Sequence, residues 1–364
     1  MTRNSALRVS PYLASPLVSP QWLADHLGSD GLVVVDATVR GGAGPGGSSA
    51  GGSGAGGSGV GGSGLAGVVS IGRGPVWLSG RDAHLTGDRI PGALFADLLD
   101  GFSNPDGAHV FSRPDAERFQ ASVRALGIDA ESTVIVYDGA AGQWAARLWW
   151  LFRSFGHERV AVLDGGLGAW RDEERPVESG PLRASVEPVL AAATSSVGDD
   201  LSDEDEGDEF APFVAVEQPG YWVDKAHVQS VVTGSRSALL LCALSGSDFR
   251  GETGLQARPG HIPGSLNVPA TGLFDRDRAR WLKPAALRER FGRVLDALAP
   301  PVGSRRAAAP AESPRVITYC NQGIAASATA FALAVIGETD VAVYDGSLEE
   351  WSADLHAPLV TSAA

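Results

Sequence analysis

Residues 315–327 read Arg-Val-Ile-Thr-Tyr-Cys-Asn-Gln-Gly-Ile-Ala-Ala-Ser, and the fold can be worked out from this stretch. Val316, Ile317, Thr318 and Tyr319 suit a short buried parallel strand, and Ala325, Ala326, Ala328, Ala330, Phe331, Ala332, Leu333 and Ala334 suit the helix that follows. The join is a loop of small residues that begins at Cys320, one of two cysteines in the chain. Strand, loop and helix in that order form the unit of an open α/β sheet, whose ligands bind at the carboxyl ends of the strands. Free N–H groups at a helix start stabilise anions, a thiolate included. Cys320 is therefore placed to act as a nucleophile.

Working outward, the stretch has a twin. Thr133-Val134-Ile135-Val136-Tyr137-Asp138 parallels Arg315 to Cys320, and three more blocks match in the same order. A helix over Gln21–Leu27 precedes the strand Leu32–Asp36, as Val223–Val232 precedes Ala238–Ala243. Arg89-Ile90-Pro91-Gly92-Ala93 answers to His261-Ile262-Pro263-Gly264-Ser265, and the block from Val160 to Trp170, with Asp164-Gly165-Gly166, answers to Val341 to Trp351, with Asp345-Gly346-Ser347. Four ordered matches are an internal duplication. Each copy alternates apolar strands with helices, so each is expected to be a parallel-sheet α/β unit.

Two segments interrupt the copies. Residues 41–69 are nearly all Gly, Ser and Ala, the composition of a flexible coil inserted in a surface loop of the first copy. No Gly-Lys-Ser/Thr ends that run, so it is not a phosphate-binding loop. Residues 181–215 read as an acidic linker, with eight carboxylates between Asp199 and Glu209.

The chain is 44% hydrophobic and 20% charged, with no apolar run long enough to span a bilayer, and its first twenty residues never build an uninterrupted apolar core. A cytoplasmic protein without membrane association is expected. A net charge of −14 argues against a nucleic-acid partner. In that setting Cys242 and Cys320 are expected as free thiols, and the seven histidines show no zinc-type spacing, so no metal is expected.

The tandem repeat, the Ile-Pro-Gly-Ala/Ser block, the strand ending in Tyr-Cys before a six-residue loop and the closing Asp-Gly-Gly/Ser-x-x-x-Trp resemble the two-domain sulfurtransferases. These are the rhodaneses, including the thiosulfate and 3-mercaptopyruvate sulfurtransferases. The resemblance covers about residues 17–180 and 216–362. It implies two tandem rhodanese-like domains, with the active loop between strand and helix in the C-terminal copy and no cofactor. It also implies that Cys320 takes sulfur from a small anionic donor, thiosulfate or 3-mercaptopyruvate, as a persulfide. A thiol, cyanide or a thioredoxin-like protein would then accept that sulfur. Asn321, Gln322, Gly323, Ile324, Ala325 and Ala326 would surround the persulfide with backbone N–H groups. Asp138 occupies the matching position of the first copy and cannot carry sulfur, so domain 17–180 is expected to be non-catalytic and 216–362 catalytic.

The resemblance has departures. Where relatives carry Asp-Ala-Arg-x-x-x-Arg-Phe for the anionic donor, this chain has Leu244 and Asp248 at the arginine positions. Arg250 and Arg258 are the nearby substitutes, and Arg147 and Arg89 are the candidates from the first copy. Arg147 is expected to begin a helix that runs on through Trp149, Trp150 and Phe152, whose rings are expected as core or domain-interface packing. Cys242, at the end of the run Leu239–Leu241, is expected to be inert core. A cysteine phosphatase would need an arginine six positions after the nucleophile, and that position is Ala326. The remaining rival is a non-catalytic regulatory tandem module that binds a partner protein.

Overall fold

The computed structural model describes residues 10–42, 68–69, 76–180, 211–254, 256–275, 277–299 and 315–361. The bulk of the glycine-rich segment and residues 181–210 of the acidic linker lie outside the described residues.

Two five-stranded sheets, parallel throughout, carry the duplication into space. In the first, β1 (Leu17–Val18), β2 (Leu32–Asp36), β6 (Leu94–Phe95), β7 (Thr133–Tyr137) and β8 (Val160–Leu163) are arranged in the order β1-β8-β7-β2-β6. In the second, β9 (Trp222–Val223), β10 (Leu239–Cys242), β11 (Leu266–Asn267), β14 (Val316–Tyr319) and β15 (Val341–Tyr344) are arranged β9-β15-β14-β10-β11, the same order strand for strand. The central strands β7 and β14 are buried at every residue, as both faces of a parallel sheet must be. Outside these sheets, β3 (Val39–Gly42), β4 (Val68–Val69) and β5 (Val76–Ser79) pair antiparallel, and β12 (Phe274–Asp275) and β13 (Arg280–Trp281) form a hairpin. Gly41 and Gly42 therefore belong to a strand, which moves the start of the insertion inward from residue 41. Residues 68 and 69 likewise pair in β4.

Two of the helices are buried almost all round, and they face each other. Of the first repeat's α4 (Gln143–Ser154), every residue is buried except Gln143 and Arg153. Its counterpart α10 (Ile324–Val335) is buried from Ala326 to Leu333. A helix apolar on every side requires neighbours on every side, and each domain supplies the other's: Trp149 meets Phe331 edge-on at 5.0 Å, and Trp150 packs on Tyr221 and Trp222. One apolar cluster accordingly runs from Val35 in the first sheet to Val343 in the second.

The helix α4 begins at Gln143, after left-handed Gly142, so Arg147 sits one turn inside it and does not start it. The end of the acidic linker also differs from expectation. Phe213 is buried against Phe119, Arg124 Nε donates to the Phe213 carbonyl, and the Val216 N–H donates to the Phe155 carbonyl. Residues 211–218 are thus strapped to the first domain, and the chain enters the second sheet only at Trp222. Among the described residues no helix is long and apolar enough to cross a membrane.

Candidate active site

Cys320 is the first residue after β14, 3% exposed, and its loop closes at Gly323, whose φ of +82° is a left-handed value suited to glycine. That turn delivers the chain into α10, so the N–H groups of Ile324, Ala325 and Ala326 lie in a first helical turn, where no intrahelical acceptor exists for them. Thr318 Oγ donates to the Ala326 carbonyl at 3.1 Å, tying strand to helix beneath the loop.

The first repeat supplies an internal control. Asp138 follows β7 as Cys320 follows β14, is fully buried, and its carboxylate fills the concavity of its own loop. One oxygen accepts from the N–H groups of Ala140 and Gly142 at 2.9 and 3.0 Å. The other accepts from Trp144 and Ala145 at 2.9 and 3.0 Å. Burial raises the Asp138 carboxyl above its ordinary range, and the four N–H donors oppose that shift. A strand–loop–helix of this shape therefore holds an anion on backbone donors. The loops are not identical: Gly142 follows Asp138 by four residues, whereas Gly323 follows Cys320 by three.

Each loop is closed over by the opposite domain. Trp281, from the β12–β13 hairpin, has its indole Nε1 2.8 Å from where a Cβ on Gly142 would be, and its backbone N–H donates to Asp164 Oδ1 at 3.0 Å. Against the Cys320 loop lie Arg147 and Trp77, whose Nε1 donates to Gln322 Oε1 at 3.3 Å and whose ring packs on Phe111 and Trp144. Asn321 gives its carbonyl to the Glu349 N–H, and its Oδ1 is buried without a hydrogen-bond partner. His109 reaches from the first domain to within 4.0 Å of Glu349. It lines a cavity of about 360 Å³ with Arg113, Trp222, Asp224, Asp345 and Glu350. Trp77, His109 and Asp345 were not singled out from sequence as site residues, since nothing in their local spacing marks them.

The four arginines considered for the donor are otherwise engaged. Arg89 is buried in the first domain and donates to the carbonyls of His84 and Gly180. Arg258 braces the C-terminal end through the carbonyls of Ser352, Asp354 and Ala357. Arg250 is exposed and bidentate with Glu252, at 2.6 and 2.8 Å. Arg147 does reach the Cys320 loop, but as a buried cross-domain brace: it donates to the Phe111 carbonyl at 2.6 Å, to Asp345 at 2.8 Å and to Ser327 at 3.4 Å. All four thus have guanidinium donors already engaged by protein acceptors, and Arg147 is the one of them that reaches the Cys320 loop. Both cysteines are free thiols. Cys242 is buried, and burial pushes its thiol up to about 12.

The rhodanese-like domain model matches residues 79–173 and 247–354, once in each repeat. This chain belongs to the rhodanese-like family. It is 34% identical over 280 residues to thiosulfate/3-mercaptopyruvate sulfurtransferase 1, mitochondrial, of Arabidopsis thaliana, covering 74% of this chain and 67% of that protein. It is 29% identical over 279 residues to human 3-mercaptopyruvate sulfurtransferase, covering 75% of this chain and 80% of the human one. Among solved structures, SseA from Escherichia coli superimposes with a TM-score of 0.61 at 24% identity, over 92% of this chain and 99% of SseA, a likeness of fold. The two repeats are thus tandem rhodanese-like domains.

Proposed function

We propose that this protein is a sulfurtransferase in which Cys320 carries sulfane sulfur from thiosulfate or 3-mercaptopyruvate to a thiol or cyanide acceptor. The observation that carries the proposal is the Asp138 loop: in the same fold position, backbone N–H groups surround a buried anion. At Cys320 the anion is the nucleophile's own persulfide.

The Cys320 thiolate attacks the outer sulfur of the donor. A new S–S bond forms at Sγ as the donor's bond to that sulfur breaks, and the leaving fragment, sulfite or pyruvate enolate, departs with the bonding pair. Asn321 to Ala326 hold the resulting Cys–S–S⁻ with backbone dipoles. An acceptor thiolate or cyanide then attacks the outer sulfur, leaves as a persulfide or thiocyanate, and returns Cys320 to its thiolate. Domain 17–180, with Asp138 in place of a nucleophile, serves as one wall of the site and covers the loop.

Incubation with either donor should add one sulfur atom to the intact mass, located on Cys320, and cyanide should discharge it. Cys320→Ser should abolish both the adduct and turnover, a loss on the order of a thousandfold or more for removal of a nucleophile. If neither donor loads the parent and Cys320→Ser behaves like it, the chain is a binding module and not an enzyme.

A further inference from the structure

We propose that the turn Asp345-Gly346-Ser347 positions the Cys320 backbone for sulfur transfer and that Arg147, from the opposite domain, holds that turn in place. The inference rests on Cys320 being the sulfur-carrying nucleophile.

Both backbone polar groups of Cys320 end on this turn and the helix it opens, α11 (Ser347–Ala353). The Cys320 N–H donates to Ser347 Oγ at 3.2 Å, and the Cys320 carbonyl accepts from the Leu348 N–H at 3.0 Å. The Ser347 hydroxyl donates in turn to the Tyr344 carbonyl at 2.8 Å, which fixes its lone pairs toward Cys320. Ser347 is fully buried and has a φ of +49°, a left-handed value that residues with a Cβ avoid.

The first repeat shows that the left-handed conformation belongs to the fold and the side chain does not. There the same place is Gly166, with a φ of +52°, and the Leu167 N–H donates to the Asp138 carbonyl at 3.1 Å, as Leu348 does to Cys320. A Cβ on Gly166 would lie 2.2 Å from the Asp138 carbonyl oxygen, so that repeat admits no side chain. The repeat with the nucleophile carries a side chain in the conformation where glycine is easiest, and that side chain binds the N–H of the nucleophile itself. Backbone strain of this kind persists where surrounding contacts over-determine it, and it concentrates at working sites.

Arg147 supplies that over-determination from across the interface. It is 1% exposed, donates to Asp345 Oδ1 at 2.8 Å and lies 4.7 Å over the Trp222 ring, while the Arg113 N–H takes Asp345 Oδ2 at 2.8 Å. Arg147 Nη1 stands 3.1 Å from where a Cβ on Gly323 would be, so the guanidinium rests against the active loop as well as the turn. Asp164, the counterpart of Asp345, is held likewise from the opposite domain by the Trp281 N–H. Arg147 and Ser347 are thus positioning residues, and docking of the first domain sets the geometry of the second domain's nucleophile.

The test uses the full chain with Ser347→Gly, Ser347→Ala and Arg147→Lys, following iodoacetamide alkylation of Cys320, kcat and KM with each donor, and Tm. Ser347→Gly loses the Ser347 hydrogen bonds but relieves the left-handed strain, so its Tm should lie above that of Ser347→Ala, which loses the same bonds and keeps the strain. Alkylation rate and kcat should nevertheless fall on the order of tenfold, because the nucleophile loses its fixed orientation, with KM within about twofold. Ser347→Ala should show the same kinetic loss with a lower Tm. Arg147→Lys should lower kcat by roughly threefold at unchanged KM. Parent-like alkylation and kcat in Ser347→Gly overturn the proposal. A raised KM at unchanged kcat in Arg147→Lys also overturns it, because Arg147 would then bind the donor. Should neither donor load the parent, the sulfurtransferase reading fails separately, and the alkylation rates still decide the positioning claim.

Discussion

Asp138→Asn tests whether the loop geometry holds an anion through its N–H groups. In the parent, four backbone N–H groups converge on two carboxylate oxygens at 2.9–3.0 Å inside a fully buried loop. Asparagine keeps the shape and one oxygen but turns an NH₂ toward the other two N–H donors, which lose their acceptor. A buried donor left unsatisfied costs about 1–3 kcal/mol. Removing a buried charge offsets part of that, since burial already raises the Asp138 carboxyl, and a net loss of about 2–3 kcal/mol remains. With about 2–4 °C per kcal/mol in a domain of this size, Tm should fall by roughly 4–12 °C in thermal unfolding followed by circular dichroism. Asp138→Ala leaves the donors around a void, so sulfate should raise its Tm by more than it raises the parent's. An Asn variant that melts with the parent, or an Ala variant indifferent to sulfate, would refute the view that this loop is an anion cradle. The strongest structural support for the Cys320 persulfide would go with it.

Two further expectations follow from buried titrating groups. His157 is 3% exposed and burial lowers it from 6.5 to about 4, so the stability it contributes is complete above pH 6.5 and is lost as pH falls toward 4. Urea unfolding should show a decline of about 3 kcal/mol across that window. His157→Gln should flatten it, and equal slopes in the two proteins would reject the assignment. Cys242, pushed up from 9.0 to about 12, contributes stability that is present below pH 9 and lost as pH rises toward 12. At pH 8 iodoacetamide should therefore label Cys320 alone, and double labelling of the native protein would contradict the burial of Cys242.

How far the sequence was legible depends on the range of the interaction involved. The strand Val316–Tyr319, the loop from Cys320 and the helix behind it are built from near-neighbour preferences, and their twins around Asp138 repeat the same preferences, so both were readable. The helix α4 opens at Gln143, one turn before Arg147, because left-handed Gly142 ends the loop there, and that backbone turn is set by the fold and not by the helix's own apolar pattern. The arginines were read as possible donor ligands because charge is visible in a sequence. Their partners are not: Arg147 meets Asp345 across 198 positions and Arg89 meets Gly180 across 91.

By itself the sequence determined the duplicated α/β architecture and which repeat carries a cysteine at the strand-to-helix loop, because hydrophobic periodicity, turn residues and the exchange of Asp138 for Cys320 are local facts. The tertiary structure alone decided what surrounds that cysteine. Trp77, Arg147 and Ser347 come to the Cys320 loop from three separate elements, and only the packing of α4 on α10 brings the first domain's groups within hydrogen-bonding range. Hydrogen bonds and ion pairs act over a few ångströms, and linear spacing carries no record of which distant residues the fold brings that close.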